Sequence, residues 1–281
     1  MLEPYIVVLG NEKGGTGKST IAMHLIVSLL RQGARVASLD LDARQGTLSH
    51  YVANRQRTKH TFDDLLVPEH SSLLASTNPN RISAEQEDEQ NLKKLLENYS
   101  SYDYIVIDTP GNDTFLSRLA HSFADTLITP LNDSFIDLDM LIRLEPGEIE
   151  KLRPSTYATM VWDQKKEKAC RSGSNIDWIV LRNRLNPLYS KNKEEMHRIL
   201  QMLSKRIGFR LLAGFCDRVI FRELFINGTT LLDLKDTGTS MTLSHVAARK
   251  ELSDLLSALE IPVQKKIKTQ QLANEAARVS A

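Results

Sequence analysis

The chain is poor in cysteine. Among its 281 residues only Cys170 and Cys216 carry a thiol, and they stand far apart. That argues against a disulfide scaffold, a zinc site or an iron–sulfur cluster built within one chain, and it fits a reducing compartment. Long apolar runs are also missing. The longest stretch, Ile21 to Leu30, is broken by His24 and Ser28 and is too short to span a bilayer. The opening Met1-Leu2-Glu3-Pro4 lacks the basic start of a secretory leader. A cytoplasmic protein is therefore expected. Neither sign of charge prevails: 36 Lys+Arg stand against 35 Asp+Glu, a net of +1, so the total says nothing about partners. No internal repeat is visible. What is present is an apolar content of 41%, enough for a sizeable core, in a length that one large α/β sheet can use.

The charge is uneven along the sequence. Residues 61–145 hold sixteen Asp/Glu and five Lys/Arg; residues 182–222 hold ten Lys/Arg and three Asp/Glu. Such asymmetry points to charged partners, although a solvated face has the same composition. Apolar runs rich in β-branched residues predict strands at Tyr5–Gly10, Ala34–Asp40, Tyr104–Asp108, Thr126–Pro130 and Asp177–Leu181, with a sixth at Arg210–Gly214. They are continuous rather than alternating, as parallel strands covered on both faces require. Helical patterns lie between them at Lys18–Gln32, Thr47–Arg57, Glu85–Tyr99, Asn192–Lys205 and Leu243–Leu259. The alternation predicts an α/β fold: a doubly wound, mostly parallel sheet with helices on both faces. Residues 145–175, charged and with Pro146 and Pro154, read as a surface excursion. A single domain is expected over 1–262, followed by a polar tail, 263–281, that frays.

Between the first strand and first helix stands NEKGGTGKST, residues 11–20. The phosphate-loop pattern G-x-x-x-x-G-K-[ST] would put its first glycine at position 12, which is Glu12. The physics is kept nevertheless. Gly14, Gly15 and Gly17 permit the turn that aims backbone N–H groups inward, and the helix start adds its positive end. Residues Gly14, Gly15, Thr16, Gly17, Lys18, Ser19 and Thr20 are thus candidates to hold ATP. Lys18 is suited to the β- and γ-phosphates and Ser19 to Mg²⁺. Asp108 ends an apolar strand, where a second carboxylate for Mg²⁺ belongs, and Gly111 can offer its N–H to the γ-phosphate. Asp40 and Asp42 close the second strand. Both carboxylates reach the metal and the attacking water if the chain stays extended, or one of them caps the following turn. Asn183, just past the fifth strand, is a candidate for the adenine edge, because ligands of such sheets bind outside the carboxyl ends of strands; a lone Asn there is otherwise a turn residue.

The run Lys13–Ser19 resembles the deviant phosphate loop of the ParA/MinD family of positioning ATPases, and Asp40–Asp42 and Ile107–Gly111 are similar to its two switch segments. Longer stretches narrow the resemblance to the MipZ division-site ATPases: TPLNDSFIDLDML at 129–141, WIVLRNRL at 178–185, DRVIFRELF at 217–225 and TLLDL at 230–234. Asn112 departs from the pattern, which has a second glycine there. The resemblance covers residues 5–259. It implies a slow ATPase with ATP and Mg²⁺ as cofactors. It further implies that Lys13 reaches across a homodimer interface to the partner's phosphates, so that ATP favours a face-to-face dimer and hydrolysis dissolves it. Trans-acting Arg residues of that kind are worth roughly 10³–10⁵ in rate. Lys13, Lys18 and Asp42 are then the catalytic candidates, and Ser19, Asp40 and Asp108 the metal candidates.

The basic segment suggests an output. Lys191, Arg198 and Lys205 recur every seven residues, while Met196, Ile199, Leu200 and Leu203 form the opposite, apolar stripe. Lys193, Arg206, Arg210, Arg218 and Arg222 extend the basic group. With no base-reading motif, contact with DNA phosphates without sequence preference is the natural expectation, and it implies association with the nucleoid. Binding of ParB and inhibition of FtsZ are implied by the resemblance alone. Two alternatives stay open: a ParA-type chromosome or plasmid partition ATPase, and a MinD-like membrane-cycling ATPase. The tail KKIKTQQLANEAARVSA has no aromatic residue, so no stable membrane anchor is expected. A metabolic phosphate-loop enzyme would have no use for Lys13.

Overall fold

The structure is a computed structural model, and it describes residues 3–143, 153–185 and 191–263. Its centre is a seven-stranded sheet. In chain order the strands are β1 (Tyr5–Leu9), β2 (Val36–Asp40), β3 (Glu69–Ser72), β4 (Tyr104–Asp108), β5 (Thr126–Asn132), β8 (Asp177–Asn183) and β9 (Arg210–Ala213). Their spatial order is β3-β2-β4-β1-β5-β8-β9, and every neighbouring pair is parallel. The remaining strands, β6 (Ile142–Arg143) and β7 (Arg153–Pro154), form a separate antiparallel ladder.

Helices cover both faces. Against one face pack α1 (Lys18–Arg31), α2 (Thr47–Lys59), α8 (Ile220–Asn227) and α9 (Leu243–Leu259); their buried side chains include Ile26, Tyr51, Leu224 and Leu252. Against the other pack α3 (Arg81–Asn98), α4 (Phe115–Phe123), α6 (Thr156–Ser172) and α7 (Lys191–Leu203), through Leu92, Ala120, Val161 and Leu200 among others. The short α5 (Phe135–Leu138) follows β5. Because β2 and β4 are buried along their whole length, the period-two signal vanishes from their sequences, as the unbroken apolar runs foretold. A buried ion pair ties the outer elements of the first face together: Arg55 on α2 holds Asp233 with two hydrogen bonds, at 2.7 and 3.0 Å.

Several elements differ from expectation. Residues 156–172 are not part of a surface excursion but the helix α6, which buries Tyr157, Ala158 and Val161. Its middle, Asp163 to Lys168, is almost entirely charged or amide-bearing, so the buried stripe is narrow and hard to see in the sequence. Ser155 caps its start and Gly173, at φ 68°, ends it. The edge strand β3 reads EHSS and carries no apolar signal; none of its four residues is buried. The seven-residue stripe on α7 does not continue to Lys205: the chain widens into a π turn at Ser204–Gly208. The tail beyond Val263, and with it the expected fraying, lies outside the described residues.

Strand order reverses at β1, which has β4 on one side and β5 on the other. The crevice outside the carboxyl ends of the strands at such a reversal is where ligands of open α/β sheets bind. The loops leaving β1 and β4 both open into it.

Candidate nucleotide site

The loop from Gly10 to Gly17 is held by its own backbone and by its neighbours. Asn11 anchors it twice: its amide donates to the Pro130 carbonyl at 2.5 Å, and its Oδ1 accepts from the Lys13 N–H at 2.7 Å. Gly17 sits at φ 94° and caps α1 with no side-chain hydrogen bond, and the first turn holds no acidic residue. The N–H groups at the start of α1 therefore remain available to an anion. A Cβ on Gly17 would also lie 2.4 Å from the amide nitrogen of Asn183, so close packing as well as dihedral angle demands glycine.

A cavity of about 610 Å³ opens above this loop, lined by residues 14–20, Asp42, Asp108, Thr109, Gly111 and Arg184 among others. Lys18 is buried, and its Nζ donates to the carbonyls of Asn11 and Lys13 at 3.1 and 3.2 Å. Burial lowers its pKa, with Asp108 and Asp42 opposing. Ser19 donates to one oxygen of Asp108 at 2.5 Å, while the other, Oδ1, is buried with no partner. Burial pushes the Asp108 carboxyl up to about 7, against the lowering by the Ser19 hydrogen bond. An orphaned carboxylate oxygen beside a hydroxyl is the donor set that Mg²⁺ takes from a protein when phosphates and water complete its shell. No group of three or more His, Cys, Asp or Glu suited to a metal exists among the described residues. Gly111 presses on the loop, since a Cβ there would lie 2.9 Å from the Gly14 nitrogen.

Three candidates are engaged differently from expectation. Asp40 is fully buried and does not line the cavity. Its Oδ1 accepts from the Asp42 N–H at 2.9 Å and its Oδ2 from the Ser49 N–H and hydroxyl, both at 2.9 Å. It braces the turn, the second of the two roles left open, and lends no free oxygen to a metal. Asp42 remains half-buried at the cavity wall; burial raises its pKa, against a backbone hydrogen bond from Gln45. Asn183 is the last residue of β8, not a residue beyond it, and its amide is already used: it donates to the Thr16 carbonyl at 2.8 Å and accepts from the Phe215 N–H at 3.1 Å. It fixes the loop against β8 and, though buried, still borders a cavity beside the phosphate cavity. Lys13, finally, does not point to solvent. Its Nζ is ion-paired with Asp137 on α5, a buried carboxylate that also accepts from the Asn132 N–H at 3.0 Å.

Sequence reasoning missed Asp137, Asn11 and Arg184. Arg184 lines the phosphate cavity and a second one of about 410 Å³, walled also by Phe215, Phe221 and Phe225, that adjoins it. Its φ of 50° is unusual for a residue with a Cβ and accompanies functional geometry more often than chance. No motif in the sequence announces such a dihedral angle.

The basic residues do not form one face. Arg198 is exposed and pairs with Glu195 at 2.7 Å; Lys205 and Arg206 are exposed on the π turn. Arg218 is tied to Glu251 at 2.6 Å, and Arg222 lines the second cavity, so both belong to the nucleotide end of the molecule. Arg210 is pinned by Asp177 at 2.7 Å and by the carbonyls of Ala258 and Leu259, and leaves the basic group. The side chains of Lys191 and Lys193 lie outside the described residues. Among the described residues no helix is long and apolar enough to cross a membrane.

Comparison with known proteins agrees with this geometry. A family model described as ATPase MipZ matches residues 5–263. An uncharacterized protein of Pseudomonas putida is 28% identical over 155 residues, 48% of this chain; the chain spans 59% of that relative's length. The septum site-determining protein MinD of Helicobacter pylori is 23% identical over 202 residues, covering 67% of this chain and 70% of its own. Among solved structures, an ATP complex of McdA from Cyanothece superposes with a TM-score of 0.60 at 17% identity, over 94% of this chain and 99% of that one. At that identity the likeness establishes the fold.

Proposed function

The chain belongs to the MipZ family of ATPases, within the ParA/MinD group that serves positioning or partitioning, and from that premise we propose that it is an ATP-timed dimerisation switch for division-site placement. The observation that carries the nucleotide chemistry is the pairing of an uncapped helix start with the orphaned Asp108 oxygen beside Ser19. Phosphates take the free N–H groups of residues 14–20 together with Lys18, which then exchanges two loop carbonyls for phosphate oxygens. Ser19 and Asp108 hold Mg²⁺, with Asp40 bracing the turn that carries Asp42. Bound there, the ion neutralises charge on the phosphates. Asp42 orients or deprotonates the attacking water, a task helped by its raised pKa. Gly111, already against Gly14, registers the γ-phosphate through its N–H.

Lys13 acts on the phosphates of the second subunit. Two phosphate-bearing faces repel unless cations lie between them, so the same residue serves chemistry and association. To do so it leaves Asp137, which makes the Lys13–Asp137 ion pair the resting position of a trans-acting cation. The dimer would place two copies of Arg198, Lys205 and Arg206, and with them Lys191 and Lys193, on one particle. Joining two weak phosphate-binding sites raises avidity by about 10²–10⁴-fold, so DNA binding follows nucleotide state. Arg218 and Arg222 contribute less to this than their sequence spacing suggests. ParB and FtsZ are the partners the family reading supplies; a nucleoid-associated, cytoplasmic distribution goes with it.

Sizing the protein with ADP and with a non-hydrolysable ATP analogue, with and without DNA, tests this reading. The analogue should yield a dimer that binds duplex DNA with a steep salt dependence. A monomer under both nucleotides, or equal DNA binding with ADP, refutes it.

A further inference from the structure

The β6/β7 ladder, α4, α6 and the π turn after α7 enclose two cavities that meet at Pro154, Thr159 and Asp163. The first, about 410 Å³, has an apolar floor of Ile142, Leu203 and Ile207, all buried, and a wall formed by Trp162, which stays 43% exposed. The second, about 610 Å³, is lined by Arg118, Arg143 and Arg153. Lys166 and Arg206 border the first. Among the described residues these walls set one carboxylate, Asp163, against the five cations, and Lys166 already engages it at 3.0 Å.

The arginines are poorly matched within the described residues. Arg118 has only a long contact to Asp113, at 3.4 Å. Arg143 donates to the Thr156 hydroxyl at 3.2 Å, and the Arg153 guanidinium makes no hydrogen bond or ion pair among the described residues. Moreover, Arg143 and Arg153 are direct cross-strand partners in the antiparallel ladder. Like charges directly opposite destabilise a ladder. A carboxylate shared between the two guanidinium groups would turn that repulsion into attraction.

We propose that this composite groove docks an acidic peptide segment of another protein: carboxylates on the three arginines, and a bulky apolar side chain on the floor beside Trp162. The proposal is independent of the nucleotide reading. A nucleic acid fits less well. Its backbone has no use for an aliphatic floor. One face of the Trp162 ring is also already taken, since Lys165 Nζ lies 5.5 Å from its centre. Peptides that combine an apolar anchor with rim charges suit such a surface.

The test pans the full chain against a library of random short peptides and titrates the recovered sequences. Trp162 is one of two tryptophans, and the other, Trp178, is 1% exposed, so emission reports on the groove. Enrichment of Asp and Glu around Leu, Ile, Phe or Trp is expected, with binding that shifts tryptophan emission and weakens with salt. Arg143→Glu with Arg153→Glu should reduce affinity by about tenfold or more. The neutral pair Arg143→Ser with Arg153→Ser should weaken binding too, while ATPase activity holds and the melting temperature does not fall. Recovered peptides without acidic enrichment, or undiminished binding by the charge-reversed variant, would overturn the proposal. So would oligonucleotide binding lost in that variant with no peptide recovered.

Discussion

If Lys13 works across the dimer, its ion pair with Asp137 competes with association. Asp137→Asn removes the charge that holds Lys13 but keeps an oxygen to accept the Asn132 N–H. The Asp137 side chain is 3% exposed and that of Lys13 38%. A half-exposed pair of this kind is worth about 1 kcal/mol, well below what a buried one would contribute. A symmetric dimer breaks two such pairs. Removing both should therefore favour the ATP-bound dimer by about 2 kcal/mol, which is roughly a 30-fold lower dissociation constant. Sedimentation with a non-hydrolysable ATP analogue over a concentration series measures it. Lys13→Ala, in parallel, should bind nucleotide and stay monomeric. An Asp137→Asn dimer as weak as the parent's, or weaker, would refute the idea that the pair is a resting position.

Further outcomes are expected at the same site and in the core. Gly111→Ala brings a Cβ to 2.9 Å from the Gly14 nitrogen, backbone against backbone, so ATP hydrolysis should collapse while the circular dichroism spectrum stays native. Asp108→Asn should abolish the tightening of ATP-analogue binding by Mg²⁺ in calorimetry, with metal-free binding retained; unchanged Mg²⁺ dependence would remove Asp108 from the metal site. His24 and His121 are fully buried, and burial pushes each down to about 4. The unfolded chain therefore binds more protons than the folded one between about pH 6.5 and 4, and stability should fall as pH drops through that window. Each shift corresponds to about 3 kcal/mol, so urea midpoints at pH 7 and 4.5 should differ clearly in the parent. His24→Gln or His121→Gln should lessen the difference.

Local chemistry alone made much of this molecule legible. Continuous apolar runs mark parallel strands because both their faces are covered, and glycines before Lys18 and Ser19 mark an anion-binding turn because only such a turn needs them there. These signals are short-range, so a linear reading finds them: β4 and α9 end where the sequence predicts. What stayed open or came out differently turns on which partner each side chain meets in the packed chain. Asp40 and Asp42 are equivalent carboxylates until the turn brings the Ser49 N–H and hydroxyl onto one and leaves the other at the cavity. Asn183 looks free until Thr16 and Phe215 take both ends of its amide. Lys13 looks unpaired until β5 and α5 return Asp137 to it across 124 positions. The helix α6 hides because its outward face is charged, and three scattered arginines become one groove only when a helix and a two-stranded ladder converge. Residue type and spacing decide what a side chain can do. Which partner it meets first, and so whether it is free to do it, depends on long-range contacts that only the packed chain supplies.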